Sequence, residues 1–300
     1  MACDSAYLPY ALTLAASIRR WHPKGGFDIV LASQEQVAIP AALEALEVGL
    51  LPLGENPFEG GPHEGRHGGA AYLRLLLPDL LDGRYDRLLY LDSDILCTGP
   101  GLDRLLRAEM GGAWLAAVRD NTQWRTPGRR LPEFRALGRH ARAYFNSGVL
   151  LIDVQAWREA QVLDRALALF RGSPGAILRH DQSLLNLIAD GAWAEMSPVW
   201  NWQYTWSSRF FADLAEPRIV HFIGPRKPWS PAGADLPLRF RQPFAEMLES
   251  YFPARTVPDR HALAWPGSLR RSLLKHWTAV PAMERYLRRF PDPFQLVPAG

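Results

Sequence analysis

The chain is poor in sulfur and poorer still in lysine. Cys3 and Cys97 are the only thiols among its 300 residues. That excludes a disulfide framework, argues against a thiolate zinc site and points to a reducing, cytoplasmic setting. Lysine occurs only at Lys24, Lys227 and Lys275, and arginine carries the rest of the positive charge. No run reaches the roughly 18 apolar residues that a membrane-spanning helix needs. The start, Met1-Ala2-Cys3-Asp4, has neither a basic cluster nor an apolar stretch, so it does not read as a signal peptide. Glu55 to Gly69 is rich in Gly and His and reads as a mobile loop. Its glycines fit neither the dinucleotide fingerprint nor a P-loop, so a Rossmann dehydrogenase and a Walker-type nucleotidase have no support.

What is present is ordinary for a folded chain. Hydrophobic residues make up 48% and charged residues 22%, enough for one large domain with a smaller appendage. The net charge of +3 is unevenly spread. Residues 251–300 hold eight Lys/Arg against three acidic residues, leaving the other 250 slightly negative. A nearly neutral body does not suit nucleic acid, whereas the basic tail suits an anionic surface.

Strand and helix patterns alternate, which predicts an α/β fold with a mostly parallel, mixed sheet flanked by helices. Buried strands are expected at Asp28–Ala32, Arg87–Leu91, Ala113–Val118, around Val149–Ile152 within Phe145–Asp153, and at Arg218–Phe222. Helices are expected at Ala70–Leu77, Ala156–Phe170 and Gln182–Ala189. The alternation fades after residue 236, which sets the expected division: a catalytic domain over 1–235 and a basic, partly helical extension over 236–300. Polar residues mark four strand boundaries, at Asp92, Asp120, Asn146 (just before its strand) and His221, and ligands of open α/β sheets bind beyond the carboxyl ends of strands.

Asp92-Ser93-Asp94 follows the apolar run Leu88-Leu89-Tyr90-Leu91. Two carboxylates at this spacing can converge on one hard cation, Mg²⁺ or Mn²⁺, holding a diphosphate; a solvated turn is the plainer reading. His221-Phe222-Ile223-Gly224-Pro225-Arg226-Lys227 puts an imidazole at a strand end, then a glycine turn and a lysine. The histidine suits a metal, with nitrogen shifting preference toward Mn²⁺, and Lys227 suits a phosphate; a satisfied core histidine is the alternative. His180-Asp181-Gln182-Ser183 opens a helix, where Asp181 either caps it or faces the crevice with Gln182. Phe145-Asn146-Ser147-Gly148-Val149 is a polar turn before a buried strand.

In their order and spacing, YLDSD, FNSGV, HDQS and HFIGPRKPW resemble family 8 glycosyltransferases, together with Asp4-Ser5-Ala6-Tyr7, Tyr72-Leu73-Arg74 and Val118-Arg119-Asp120-Asn121. The resemblance spans about residues 3 to 230 and is strongest toward bacterial lipopolysaccharide and cell-surface hexosyltransferases. It implies a GT-A fold and a retaining transfer of glucose or galactose from a UDP-sugar to a saccharide or glycolipid. It further implies that Asp92, Asp94 and His221 hold Mn²⁺, or Mg²⁺, and that Asp4 and Tyr7 meet the uracil and ribose. Arg74, Asp120, Asn146 and Asp181 would bind the donor sugar, Gln182 would lie beneath the anomeric carbon, and Gly224 and Lys227 would steady the phosphates. Two departures stand out. Only Met1-Ala2-Cys3 precede Asp4, implying a stunted first strand or a start assigned too late, and Ala6 stands where the family often has Asn.

An amide oxygen is a poor nucleophile, so front-face attack is expected over a covalent intermediate on Asp181. A sugar-phosphate nucleotidylyltransferase lacks its Gly- and Lys/Arg-rich N-terminal loop here. A catalytically silent carbohydrate-binding protein would have no need of Asp92, Asp94, His221 and Lys227 together. Trp200 to Trp206 reads either as an acceptor-stacking platform or as core. From Leu269 to Phe290 apolar and basic residues interleave, with Pro281 expected to divide two short helices. That segment reads either as lying on the inner face of a membrane or as packing on the body.

Overall fold

A computed structural model describes residues 1–60, 68–205, 207–255 and 269–299. Ten strands are described: β1 (Ile29–Ser33), β2 (Val48–Pro52), β3 (Arg87–Leu91), β4 (Ile95–Cys97), β5 (Leu115–Arg119), β6 (Phe145–Asp153), β7 (Ala194–Glu195), β8 (Trp202–Gln203), β9 (Ile219–His221) and β10 (Val297–Pro298). Five of them form a sheet in the order β10-β7-β5-β6-β3. The others form a β4-β9-β8 sheet and a parallel β1-β2 pair.

The nine-residue β6 organises the site. It runs antiparallel to both β3 and β5, with Leu91 opposite Val149 and Arg119 opposite Phe145. The beginning of β6 therefore lies beside the ends of its two neighbours. This brings Asn146–Gly148, Asp92 and Asp120 to one sheet edge, although they come from strands of opposite direction. β9 pairs antiparallel with β4 and sets His221 opposite Ile95, one residue past Asp94.

Period-two alternation along β6 feeds two cores. Val149 and Leu151 join Trp200, Trp202, Phe222 and Met283 on one side. Leu150 and Ile152 join Trp157, Leu184 and Leu185 on the other. The expected strands form with shifts of one or two residues, except that β6 begins at Phe145 and takes in Phe145–Gly148, expected as a turn, because those residues pair with β5. The helix expected over Ala156–Phe170 is instead two, Val154–Glu159 and Val162–Gly172, because Gln161 adopts a left-handed φ of 51° between them. That bend lets Val162, Ala166 and Phe170 bury along one face. The helix expected over Ala70–Leu77 is a short helix, Gly68–Tyr72, continued by the 3₁₀ turn Leu73–Leu75. Of the Gly- and His-rich stretch Glu55–Gly69, residues 61–67 lie outside the described residues; Asn56 and Phe58 are buried and Gly68 begins a helix.

Described residues beyond 235 share this core. Helix Leu238–Tyr251 buries Phe240 and Phe244, and β10 pairs antiparallel with β7 at the sheet's edge. Leu269–Leu287 is one helix with Pro281 inside it, not the expected two. Pro281 and Trp277, one turn back, both face solvent, so the carbonyl that loses its donor is open to water. The helix buries His276, Ala279, Met283 and Tyr286. The buried Glu195 carboxylate receives the Tyr286 hydroxyl at 3.1 Å, Arg289 at 2.9 Å and Arg119 at 2.9 and 2.7 Å. Among the described residues no helix is long and apolar enough to cross a membrane.

Candidate active site

Asp92, Asp94 and His221 each point one ligand atom into a common space, all within 4.8 Å of one another. His221 Nε2 lies 3.1 Å from Asp94 Oδ1 and 3.8 Å from Asp92 Oδ2. Asp94 Oδ1 is buried and accepts no hydrogen bond among the described residues. Its other oxygen pairs with Lys227 Nζ, which also donates to the Phe222 carbonyl at 2.7 Å. Gly148 makes the space possible, because a Cβ there would fall 2.1 Å from His221 Cε1 and 2.9 Å from Asp92 Oδ2. A carboxylate–imidazole–carboxylate set whose ligand atoms converge around a buried carboxylate oxygen fits a divalent cation. Burial alone would raise the Asp94 carboxyl, but His221 and Lys227 outweigh it and hold it well below the usual carboxylate range.

Arg74 joins this centre to the next carboxylate. Its guanidinium lies 2.9 Å from Asp92 Oδ1 and 3.1 Å from Asp181 Oδ2, donates to the Ser147 carbonyl at 2.7 Å and stacks 4.5 Å over the Tyr90 ring. Burial would lower its pKa; Asp181 and Asp92 reverse that and keep it charged. Burial raises the Asp181 carboxyl to about 6, against the pull of Arg74 and with the help of Asp92. Asp181 sits in the first turn of helix His180–Ala189, which begins at a left-handed His180 with φ 47°.

A row of buried amides lies behind the carboxylates. Gln182 Nε2 donates to Asp120 Oδ2 at 3.2 Å, and Gln182 Oε1 accepts from Asn146 Nδ2 at 3.1 Å and Ser147 N at 3.2 Å. Asn201 Nδ2 donates to Asn146 Oδ1 at 2.9 Å, and Asn201 Oδ1 lies 3.0 Å from His221 Nδ1.

The structure thus brings Asp92, Asp94, His221, Lys227, Arg74 and Asp181 together, with Asp120, Asn146 and Gln182 adjoining them. Asp4 accepts from the Tyr7 amide at 2.8 Å at the start of helix Leu8–Trp21. Burial and then the Asp94 charge raise the Tyr7 hydroxyl. Tyr7 packs edge-on to Trp229, whose ring stacks on Tyr10 at 3.7 Å. Gly224 takes a φ of 75° in the exposed turn between His221 and Lys227, with open space where a side chain would stand.

The acceptor-platform reading of the aromatic run is corrected. Trp200 and Trp202 are fully buried and Tyr204 nearly so, while Trp206 lies outside the described residues. Within that run the polar Asn201, also fully buried, belongs to the site. Sequence reasoning passed it over; its one signal was an amide set between two core tryptophans.

The layers and the crevice at the sheet edge are those of the GT-A fold. The galactosyltransferase LgtC, solved with donor and acceptor sugar analogues, superposes with a TM-score of 0.66 at 23% identity, covering 90% of this chain and 98% of its own. The model of glycosyl transferase family 8 matches residues 1–233, and the chain belongs to that family. General stress protein A of Bacillus subtilis is 30% identical over 176 residues, 54% of this chain and 59% of its own. The lipopolysaccharide 1,2-glucosyltransferase of Escherichia coli is 31% identical over 170 residues, 53% of this chain and 49% of its own. The chain spans about half the length of these curated relatives.

Proposed function

We propose that this protein transfers a hexose, glucose or galactose, from a UDP-sugar to a saccharide or glycolipid acceptor with retention at the anomeric carbon. The observation that carries the reading is the convergence of Asp92, Asp94 and His221 on a space bordered by Lys227, with the buried Asp94 Oδ1 3.1 Å from His221 Nε2. Asp92, Asp94 and His221 would hold Mn²⁺, or Mg²⁺, which when bound supplies positive charge against the donor diphosphate. Lys227 adds a second cation where negative charge develops on the leaving phosphate. Gly224 gives the backbone close approach there. Asp4 and Tyr7 take the nucleoside end.

On the sugar side, Arg74, Asp120, Asn146 and Asp181 orient the hydroxyls. Gln182 Oε1 already accepts two hydrogen bonds and Asp181 is tied to Arg74, so neither is a ready nucleophile. This supports front-face attack. The anomeric carbon–phosphate oxygen bond breaks, the acceptor oxygen bonds to the same face, and its proton passes to the departing phosphate.

The acceptor side of the proposal includes a membrane surface, reached from the cytoplasm. On helix Leu269–Leu287 the buried stripe is matched by an exposed apolar one: Leu273, Leu274, Val280 and Trp277, the last 76% exposed. Arg285 and Arg288 are exposed beside it, while the side chains of Leu269, Arg270, Arg271 and Lys275 lie outside the described residues. An apolar strip flanked by cations suits an anionic bilayer.

The test is a screen of UDP-sugars for Mn²⁺-dependent turnover, with the product anomer read by NMR. Asp94→Ala should abolish turnover and metal-dependent donor binding while the fold survives. Undiminished activity of that variant would refute the metal role.

A further inference from the structure

The amide row behind the carboxylates has a polarity that is fixed link by link. The N–H groups of Ser147 and Gly148 can only donate, so the atoms facing them, Gln182 Oε1 at 3.2 Å and Asn146 Oδ1 at 3.1 Å, are oxygens. Asn146 Oδ1 then requires a donor from Asn201, which fixes Nδ2 as the atom 2.9 Å away. The remaining oxygen of that amide faces His221 Nδ1 at 3.0 Å. An amide oxygen cannot donate, so Nδ1 must carry a proton. Nε2, which faces two carboxylate oxygens, is then the nitrogen available to a cation that displaces its proton.

We infer that Asn201 is a positioning residue for the cation site: it holds His221 in the Nδ1–H tautomer and so presents Nε2 as a metal ligand. This rests on the metal-dependent reading above. The orientation of Asn201 is itself dictated by the backbone of Ser147-Gly148 through Asn146, so the start of β6 sets the chemistry of a side chain on β9. The groups that hydrogen-bond the far nitrogen of a ligating histidine are commonly carboxylates or carbonyls, which raise the basicity of the ring. Here a neutral amide fixes the tautomer and adds no further charge behind two carboxylates already within 4.8 Å. Asn201 is fully buried and so cannot exchange this bond for water. Asn146 and Gln182 extend the same row to Asp120, which ties the proposed sugar-facing amides to the proposed metal ligand.

The direct test is ring-¹⁵N NMR of the metal-free protein labelled at histidine, with His221 assigned by comparison with His221→Gln. A protonated Nδ1 is expected, persisting when Mg²⁺ is added; an Nε2–H tautomer with bare Nδ1 overturns the inference. Asn201→Ala should lose about 10- to 100-fold in Mn²⁺ affinity by EPR titration. Asn201→Asp, which still accepts from Nδ1–H but loses the donor to Asn146 Oδ1, should keep the Nδ1–H tautomer in the ring spectrum. Unchanged affinity in a folded Asn201→Ala overturns the role. If that variant does not fold, the wild-type spectrum and Asn201→Asp decide. Failure of the wild type to bind Mn²⁺ overturns the proposed function instead, while the ring spectrum still decides the tautomer.

Discussion

Arg74 Nε lies 3.1 Å from Asp181 Oδ2, and both side chains are almost wholly buried. Even so, burial leaves the Asp181 carboxyl at about 6. An unfolded aspartate titrates near 3.9, so folding raises this acid's pKa by roughly two units. Its contribution to stability is therefore fully present below about pH 4 and is lost as pH rises through 6. In the proposed transfer the sign is opposite, because orienting a sugar that gains positive charge would need the ionised form. The expected outcome is a kcat/KM that falls about tenfold per unit below pH 6. Asp94, held ionised throughout, does not contribute to that limb. A flat profile from pH 5 to 7 in a UDP-sugar turnover assay would contradict the assignment.

Gly148→Ala tests the space that the site requires. Its Cβ would fall 2.1 Å from His221 Cε1 and 2.6 Å from Nδ1, so the ring must move. We expect activity to fall by at least about 100-fold, with a stability cost of about 1–3 kcal/mol from overpacking. Thermal melts and Mn²⁺ titration check the two parts separately.

The start of the site was readable because strand chemistry and site chemistry coincide there. Leu88-Leu89-Tyr90-Leu91 is an apolar run that must be a buried strand, so Asp92 had to emerge at its end. Asn146 was harder. Taken alone it read as a turn, and only the antiparallel pairing of β6 with β3 and β5 shows why a strand's beginning joins two strand ends. Strands β7, β8 and β10 have two residues each, too few for periodicity to register, and they exist because tertiary pairing selects them. Asn201 carried only the weak signal of an amide between two tryptophans, because its role depends on Asn146 and His221, each distant in sequence.

Glu195→Ala should be among the most damaging changes outside the crevice. It would leave Arg119 and Arg289 without their buried counter-ion and the Tyr286 hydroxyl without its acceptor. Breaking a buried pair in this way costs about 3–5 kcal/mol. Urea denaturation at constant ionic strength measures it, and a loss under 1 kcal/mol would show that the cluster is not a fastening.

Trp277→Glu probes the exposed stripe without disturbing the buried one. With the side chain 76% exposed, stability should change by no more than about 0.5 kcal/mol. Flotation with anionic liposomes at low salt should drop several-fold. Equal flotation of the variant and the parent would remove this helix from membrane contact. Deleting everything after residue 268 is a poorer test, since it would also remove Met283, Tyr286 and β10 from the core.

The attachment of helix Leu269–Leu287 through Tyr286, with Arg289 just beyond it, has a geometric result. A helix fastened to the same carboxylate that grips Arg119, the residue before Asp120, cannot swing outward without stranding buried charge. If that helix rests on lipid, the crevice rides at a set stand-off and tilt above the bilayer. Acceptor choice would then depend on how far a glycan rises from its anchor as well as on which hydroxyl it offers.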